Sequence, residues 1–495
     1  MAGPEAQGPA RTGSNKGEIG DMPLQQDERE HSSVAALLED FRKYGRIEDD
    51  GVRIRDVEGV RAELVDTLVF DAVFGEKDVM SVSRWLIWET AQALGARPAS
   101  IHEYYLAGGQ GAWSNRTTPA INVRGMTYEI ARTIFRARQK LDVGQQIFEI
   151  ARSEIGYTEQ RPHEYASAVL AAAIKEGHAG PVFIQGDHFQ LGLSDYRKTP
   201  DKEVRAVEGL ALEAINAGFF NIDVDASTIV DYKLDGEAAQ QRDNARRTAE
   251  ITRYIRRKQP EGVIVSVGGE IGEVGSENST VAELRAFMDH FNSFLGGDAS
   301  QGLSKISVQT GTSHGGVPLP DGTVANVAVD FETLGELSRE ARATYALAGA
   351  VQHGASTLPD DAFNLFAEAN ACEVHLATGF QNIIFESEAL PADLKQATYD
   401  WLNANRAHER KADETDAQFF YKTRKRAFGP FKRYFWTLEE ARLQALCAEL
   451  EERFIQMFQL LGVAHTTADV NAHTTLMELH RQQPSALERM LVSGD

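Results

Sequence analysis

Short apolar runs recur along the middle of this 495-residue chain, and each is followed by a longer stretch of helical period. The runs fall at 119–123, 146–151, 182–185, 220–225, 263–267, 305–310, 348–352 and 372–376. Helical stretches follow at 128–139, 164–175, 202–217, 236–258, 281–294, 331–345 and 359–369, and 381–406 supplies the last. Eight strand-then-helix units predict an α/β fold, a (β/α)8 TIM barrel whose parallel strands close into a ring. An open doubly wound sheet is the alternative. Eight units without a reversal in the pattern favour closure, and no GxGxxG follows the first strand, so a dinucleotide fold lacks its fingerprint.

The pattern changes on both flanks. From 31 to 111 it is helical, with Val34, Leu37, Leu38 and Phe41 on one stripe and Val82, Trp85, Leu86, Trp88 and Ala91 on another. No alternating strand stands out there, so an N-terminal helical extension is expected. Residues 1–30, rich in Gly, Pro, Gln, Asp and Glu, read as a disordered tail. The barrel is expected over 112–410, and 411–495 as a basic segment with a C-terminal helical extension. In that segment Lys422, Arg424, Lys425, Arg426, Lys432 and Arg433 alternate with aromatic residues. A helix follows over 438–461, striped by Leu443, Leu446, Leu450, Phe454 and Met457.

Charge narrows the partners. Lys+Arg 51 against Asp+Glu 73 gives −22, a surface that repels nucleic acid and anionic membranes, so neither is an expected partner. Two cysteines, Cys372 and Cys447, stand far apart without CxxC spacing, which fits a reducing compartment. No apolar run reaches bilayer length, and the first thirty residues lack a secretory core, so the cytoplasm is the expected location.

Chemistry collects where the strands end. The third run leads into Gly186, Asp187 and His188, the fourth into Asp223 and Asp225, and the fifth into Glu270 and a Gly-rich loop with Glu273 and Glu277. The sixth leads to His314 and the seventh to His353. On a parallel barrel these ends share one rim. Three histidines on that rim suit a catalytic metal with an open position, zinc or another divalent first-row ion. One such histidine alone reads as a satisfied polar group at a strand end. Gly315, Gly316 and Gly354 let backbone N–H groups approach an anion closely. Asp223 shares its side of the strand with Asp225 but sits one layer deeper, where a structural role is expected.

In these motifs the barrel resembles the class II, metal-dependent fructose- and tagatose-bisphosphate aldolases. Asp187-His188 matches the family's DH motif, and Val224-Asp225-Ala226-Ser227 its I-D-A-S motif. The loop from Glu270 to Glu277 is one residue shorter than E-L-G-x-x-G-G-x-E, while Gly311-Thr312-Ser313-His314-Gly315 and His353-Gly354-Ala355-Ser356 match the two His-Gly motifs. The resemblance implies His188, His314 and His353 as metal ligands, with Glu270 and Asp225 orienting them or lining the metal site. It implies Asp187 as general acid/base and Glu277 as a second proton-transfer carboxylate. Asn122, Gly315, Gly354, Ser356, His375 and Thr378 are expected on the substrate side.

The eighth strand departs from the family. Where K-I-N-x-D-T-D is usual, this chain reads Glu373-Val374-His375-Leu376-Ala377-Thr378-Gly379, which keeps only the Thr of the Asp-Thr-Asp signature that helps to hold a phosphate. His375 is open to three roles: a metal-proximal group, a substrate donor or a packed polar residue. The expected function is a metal-dependent lyase that cleaves or forms a ketose carbon–carbon bond through an enediolate. An epimerase of sugars or sugar acids on the same chelated ketose is the alternative, and a non-catalytic accessory subunit is the third reading. A small-molecule ketose is the expected partner, with a homo-oligomer as the expected assembly.

Overall fold

The computed structural model describes residues 29–49, 51–272, 277–297, 301–311, 317–319, 324–325 and 329–492. Eight parallel strands close into a ring: β1 Thr118–Asn122, β2 Ile147–Ala151, β3 Gly180–Gln190, β4 Asn221–Asp225, β5 Ser266–Glu270, β6 Lys305–Val308, β7 Ala350–Gln352 and β8 Glu373–Leu376. Each pairs with its neighbours in chain order, and β8 returns to β1 with Glu373 opposite Thr118. The predicted (β/α)8 barrel is therefore the fold. β3 is the main boundary difference, since it runs on through the Asp-His pair instead of stopping before it.

The helices start and stop where local chemistry requires. Pro162 and Pro200 open Pro162–Lys175 and Pro200–Ala217 at a position whose N–H has no helical partner anyway. Thr280 and Glu283 form a capping box on Val281–Leu295, and Asp330 caps Phe331–Tyr345 through Thr333 N–H. With helices outside and side chains inside, the strands are buried on both faces, which is why most of their positions read apolar.

The inward positions do not. Along the barrel axis an apolar plug gives way to a charged layer and then to the rim. At the bottom, the helix His102–Gly109 inserts Tyr104 and Tyr105 against Trp113, Ile147, Phe183 and Val351. Above it lies Lys305, fully buried, whose ammonium donates to Gln185 at 2.8 Å, Asp223 at 3.0 Å and Glu373 at 2.5 Å. Tyr105 donates to the other oxygen of Glu373 at 2.5 Å, tying plug to layer. Gly268 makes the room, because a Cβ there would lie 2.3 Å from Asp223 and 3.0 Å from the Lys305 chain. Burial alone would raise the Glu373 carboxyl, but Lys305 and His375 overcome it and hold it down to about 2. Asp223, one layer below the rim as expected, is pushed by burial up to about 6 despite Lys305.

The flanks differ from expectation in detail. The N-terminal extension is not purely helical: Gly45–Glu48 and Gly51–Ile54 form an antiparallel hairpin, and Ala96–Ala99 adds a parallel strand to β3 outside the ring. Of the expected tail, 1–28 lies outside the described residues. Arg29 stacks 3.7 Å over Phe70, and Glu30 pairs with Arg433 at 2.6 Å. The helix Glu440–Leu460 packs on Thr127–Leu141, where Arg136 reaches Glu451 at 2.8 Å. The chain then crosses back over the N-terminal extension: Trp85 and Trp88 donate their indole N–H to the carbonyls of Arg481 and Leu479 at 3.0 and 2.6 Å. No helix among the described residues is long and apolar enough to cross a membrane.

The Lys305 layer yields a stability prediction. Lys305→Met leaves Glu373 and Asp223 buried without their shared cation, which should cost about 3–5 kcal/mol in a denaturant titration. Adding Glu373→Gln should recover part of the loss, whereas a single mutant as stable as the parent would show the ammonium to be unimportant.

Candidate active site

A regular strand sends consecutive side chains to opposite faces. In β3 the register against β4 shifts between Gly186 and Phe189, and His188 takes a φ of +42°. This β-bulge turns both Asp187 and His188 into the barrel mouth, at the cost of a non-glycine residue in the left-handed region. The Asp-His pair thus sits on one bulged strand with both side chains available to one centre.

Around that centre three ends converge. His188 Nδ1 lies 3.2 Å from Glu270 at the end of β5 and 3.3 Å from Asp225 at the end of β4. The His188 and His353 rings are 4.2 Å apart, and those of His353 and His375 are 4.1 Å apart. His188, Glu270 and His353 offer three ligand atoms within 4.8 Å of one another. Two imidazoles and a carboxylate form a donor set that fits a divalent first-row cation. Asp187, His353 and His375 form an overlapping set. Asp225 belongs to neither. Its carboxylate accepts from Gln190 at 2.5 Å and from the backbone and hydroxyl of Ser227 at 3.0 and 2.7 Å, so it orients His188 instead.

Asp187 is the next group inward, 3% exposed. Asn122 donates to its Oδ2 at 2.8 Å and His375 Nδ1 stands 3.1 Å from Oδ1, which fixes the carboxylate at both oxygens. Burial disfavours its charge, yet His188 and His375 hold it well below the usual carboxylate range. His375 has Glu373 2.6 Å from its other nitrogen. Burial works against its charge too, but Glu149 and Asp187 raise its pKa well above the ordinary imidazole value. His375 is thus packed into a buried charged network, with Asp187 and Glu373 against its two ring nitrogens. Burial and Asp225 push Glu270 up to about 7.

These groups open onto a cavity of about 720 Å³, which Asn122, Gly354, Ser356, His375 and Thr378 also line. Gly354 has a φ of +72°, a turn that side-chain-bearing residues rarely adopt. His314 and Gly315 fall outside the described residues. Glu277 lies on the approach to Val281–Leu295, is exposed, and is not among the residues lining the cavity.

Sequence reasoning missed a second shelf of polar groups. Glu154, just beyond β2, accepts from Asn122 at 2.9 Å and from Arg124 at 2.6 Å, and Arg124 also reaches Gln381 at 2.8 Å. Glu149, Gln185, Lys305 and Glu373 were likewise passed over. Their signal was present as polar residues at alternate positions of otherwise apolar strands, Gln185 with Asp187 and Glu373 with His375 among them.

Known proteins with this architecture share its barrel. A fructuronate–tagaturonate epimerase, UxaE, from Cohnella laeviribosi is 13% identical, with 86% of this chain and 90% of that chain covered at a TM-score of 0.50. The YdjI aldolase from Escherichia coli K12 is 15% identical over 74% of this chain and 98% of its own, with a TM-score of 0.41. A fructose-bisphosphate aldolase from Campylobacter jejuni is 16% identical over 76% and 95%, with a TM-score of 0.43. No curated protein matches the sequence. The sequence profile of the family described as fructose-bisphosphate aldolase class-II matches residues 112–425, from just before β1 through the whole ring. With the ring, its Asp-His bulge and its histidine–carboxylate donors in the order that profile spans, this chain belongs to the class II fructose-bisphosphate aldolase family.

Proposed function

We propose that this chain is an enzyme of metal-assisted aldol chemistry on an anionic ketose. The supporting observation is that Asp187, clamped by Asn122 and His375, lies 3.6 Å from His188 Nε2 at the edge of the donor set. Zinc is the proposed occupant of His188, Glu270 and His353, with His314 added by the family motif. When bound there, a divalent cation supplies Lewis acidity toward the ketose oxygens. The remaining work falls to side chains. Asp187 accepts the proton of the hydroxyl next to the bond that breaks. The bonding pair moves onto the carbonyl carbon side, which leaves an enediolate and an aldehyde. Asn122 and His375 keep the Asp187 carboxylate from turning away, and Glu373 anchors His375 from beneath.

One cleavage allows two outcomes. Release of the aldehyde makes the enzyme a lyase; attack on its opposite face makes it an epimerase. A specific observation favours carrying the second reading. Ala377 and Gly379 stand where the family's signature has acids, so the substrate side of this site departs from the family while the Asp187-His188 pair is kept. The fold likeness to UxaE also reaches beyond the barrel, and the reaction in that protein's name is the one the second reading extends to this chain.

Three outcomes test the proposal. Metal-loaded protein incubated with a ketose panel should give either a shorter aldehyde or a stereoisomer of the input by chromatography; no conversion of any ketose would end the reading. His188→Ala and His353→Ala should each drop bound metal from about one ion per chain to well under half by elemental analysis, while the thermal midpoint stays near the parent's. Asp187→Asn should retain the metal and lose roughly 10²–10⁴-fold in kcat, the contribution typical of a general acid/base; parental turnover would move that role elsewhere.

A further inference from the structure

The six cations between Lys422 and Arg433 divide by what they touch. Lys422 pairs with Glu414, Arg426 with Glu409 at 3.4 Å, Lys432 with Glu164 at 2.6 Å and Arg433 with Glu30 at 2.6 Å. Arg424, 4% exposed, donates to Asn382 and to Glu386 at 2.9 Å. The charges of Arg424 and Arg426 are thus answered by carboxylates on the barrel's last helices and loops.

Lys425 differs from the other five. It sits in the single 3-10 turn Arg424–Ala427, its side chain lines the cavity, and it has no ion pair among the described residues. Its ammonium lies 5.8 Å from the Tyr157 ring centroid, with Arg426 over the same ring at 5.1 Å. Two other Arg or Lys residues line the cavity among the described residues, and both are answered by carboxylates: Arg124 by Glu154 and Arg152 by Glu203, each at 2.6 Å. A half-buried cation with no carboxylate in direct contact is costly, and an incoming anion relieves that cost. Burial, with Arg124 beside it, pulls the Lys425 ammonium down to about 8, and Glu154 only partly offsets this.

We propose that Lys425, on the wall of the cavity that His188, Glu270 and His353 also line, receives the carboxylate of a sugar-acid ketose. Glu154 and Arg124, its electrostatic neighbours, are linked through Asn122 to Asp187. One cation without a direct ion pair matches a single negative charge better than a phosphate dianion. The assignment takes its reaction from the aldol reading above, but binding at Lys425 stands or falls separately.

The test uses full-length, metal-loaded protein as wild type, Lys425→Met and Lys425→Arg. Calorimetry with gluconate, a non-ketose carboxylate probe, is run beside glucose 6-phosphate and neutral sorbitol, and steady-state kinetics beside it with fructuronate, fructose 6-phosphate and fructose. Lys425→Met should weaken gluconate binding and raise the fructuronate KM roughly 10–100-fold, as loss of a charge-assisted hydrogen bond does, with kcat changed far less. Fructose should be unaffected and Lys425→Arg should restore most of the loss. Wild-type protein that ignores gluconate, a Met variant that binds it unchanged, or a loss shared equally by fructose would overturn the assignment. A larger loss for the two phosphorylated probes would overturn the carboxylate in favour of phosphate. If no ketose turns over, the reaction reading fails while the gluconate comparison still decides Lys425.

Discussion

A lysine ammonium on the axis of the barrel governs how this protein is put together. Parallel barrels usually fill their interior with branched aliphatic side chains. Here Lys305 replaces that filling, and its charge is admissible only because Glu373, Asp223 and Gln185 surround it. Each partner passes the constraint on. Glu373 fixes Tyr105 below and His375 above, and His375 in turn faces Asp187. The orientation of the proposed base therefore traces back, through direct polar contacts, to a cation that does not line the cavity. The rim is assembled on a charged foundation, whereas an aliphatic one would leave His375 without its lower partner.

The sequence made much of this legible, and physics explains where it stopped. Eight strands and their helices were readable because both faces of each strand are covered and the apolar runs are clean. His188, Glu270 and His353 were readable because they fall at strand ends beside glycines. The Asp187–His188 bulge was not, since nothing in Gly186-Asp187-His188 distinguishes a strand that stops from one that slips register by a residue and continues. The hairpin at 45–54 escaped because four-residue strands leave too little alternation to read.

Charged residues inside the barrel were the hardest to interpret. Lys305 and Glu373 open their strands, and only the closed ring shows that positions distant in sequence share one interior layer. The basic segment shows the opposite error. Its six cations looked alike in sequence, and their different fates depend on which acid each one meets across the fold. Composition identifies a charge but not its partner.

The crossing of the two termini has a consequence in time. Trp85 and Arg481 stand 396 residues apart in the chain yet share a hydrogen bond, and Trp88 makes a similar one with Leu479. During synthesis the first helices of the extension emerge long before the segment that answers their indole N–H groups. Contacts of such separation form late and slow the final step of folding. The barrel between them has every strand partner it needs before the last residues appear, so the ring can close first and the termini fasten over it afterwards. The strap from 479 to 481 thus docks on the N-terminal extension only after every strand of the barrel has been made.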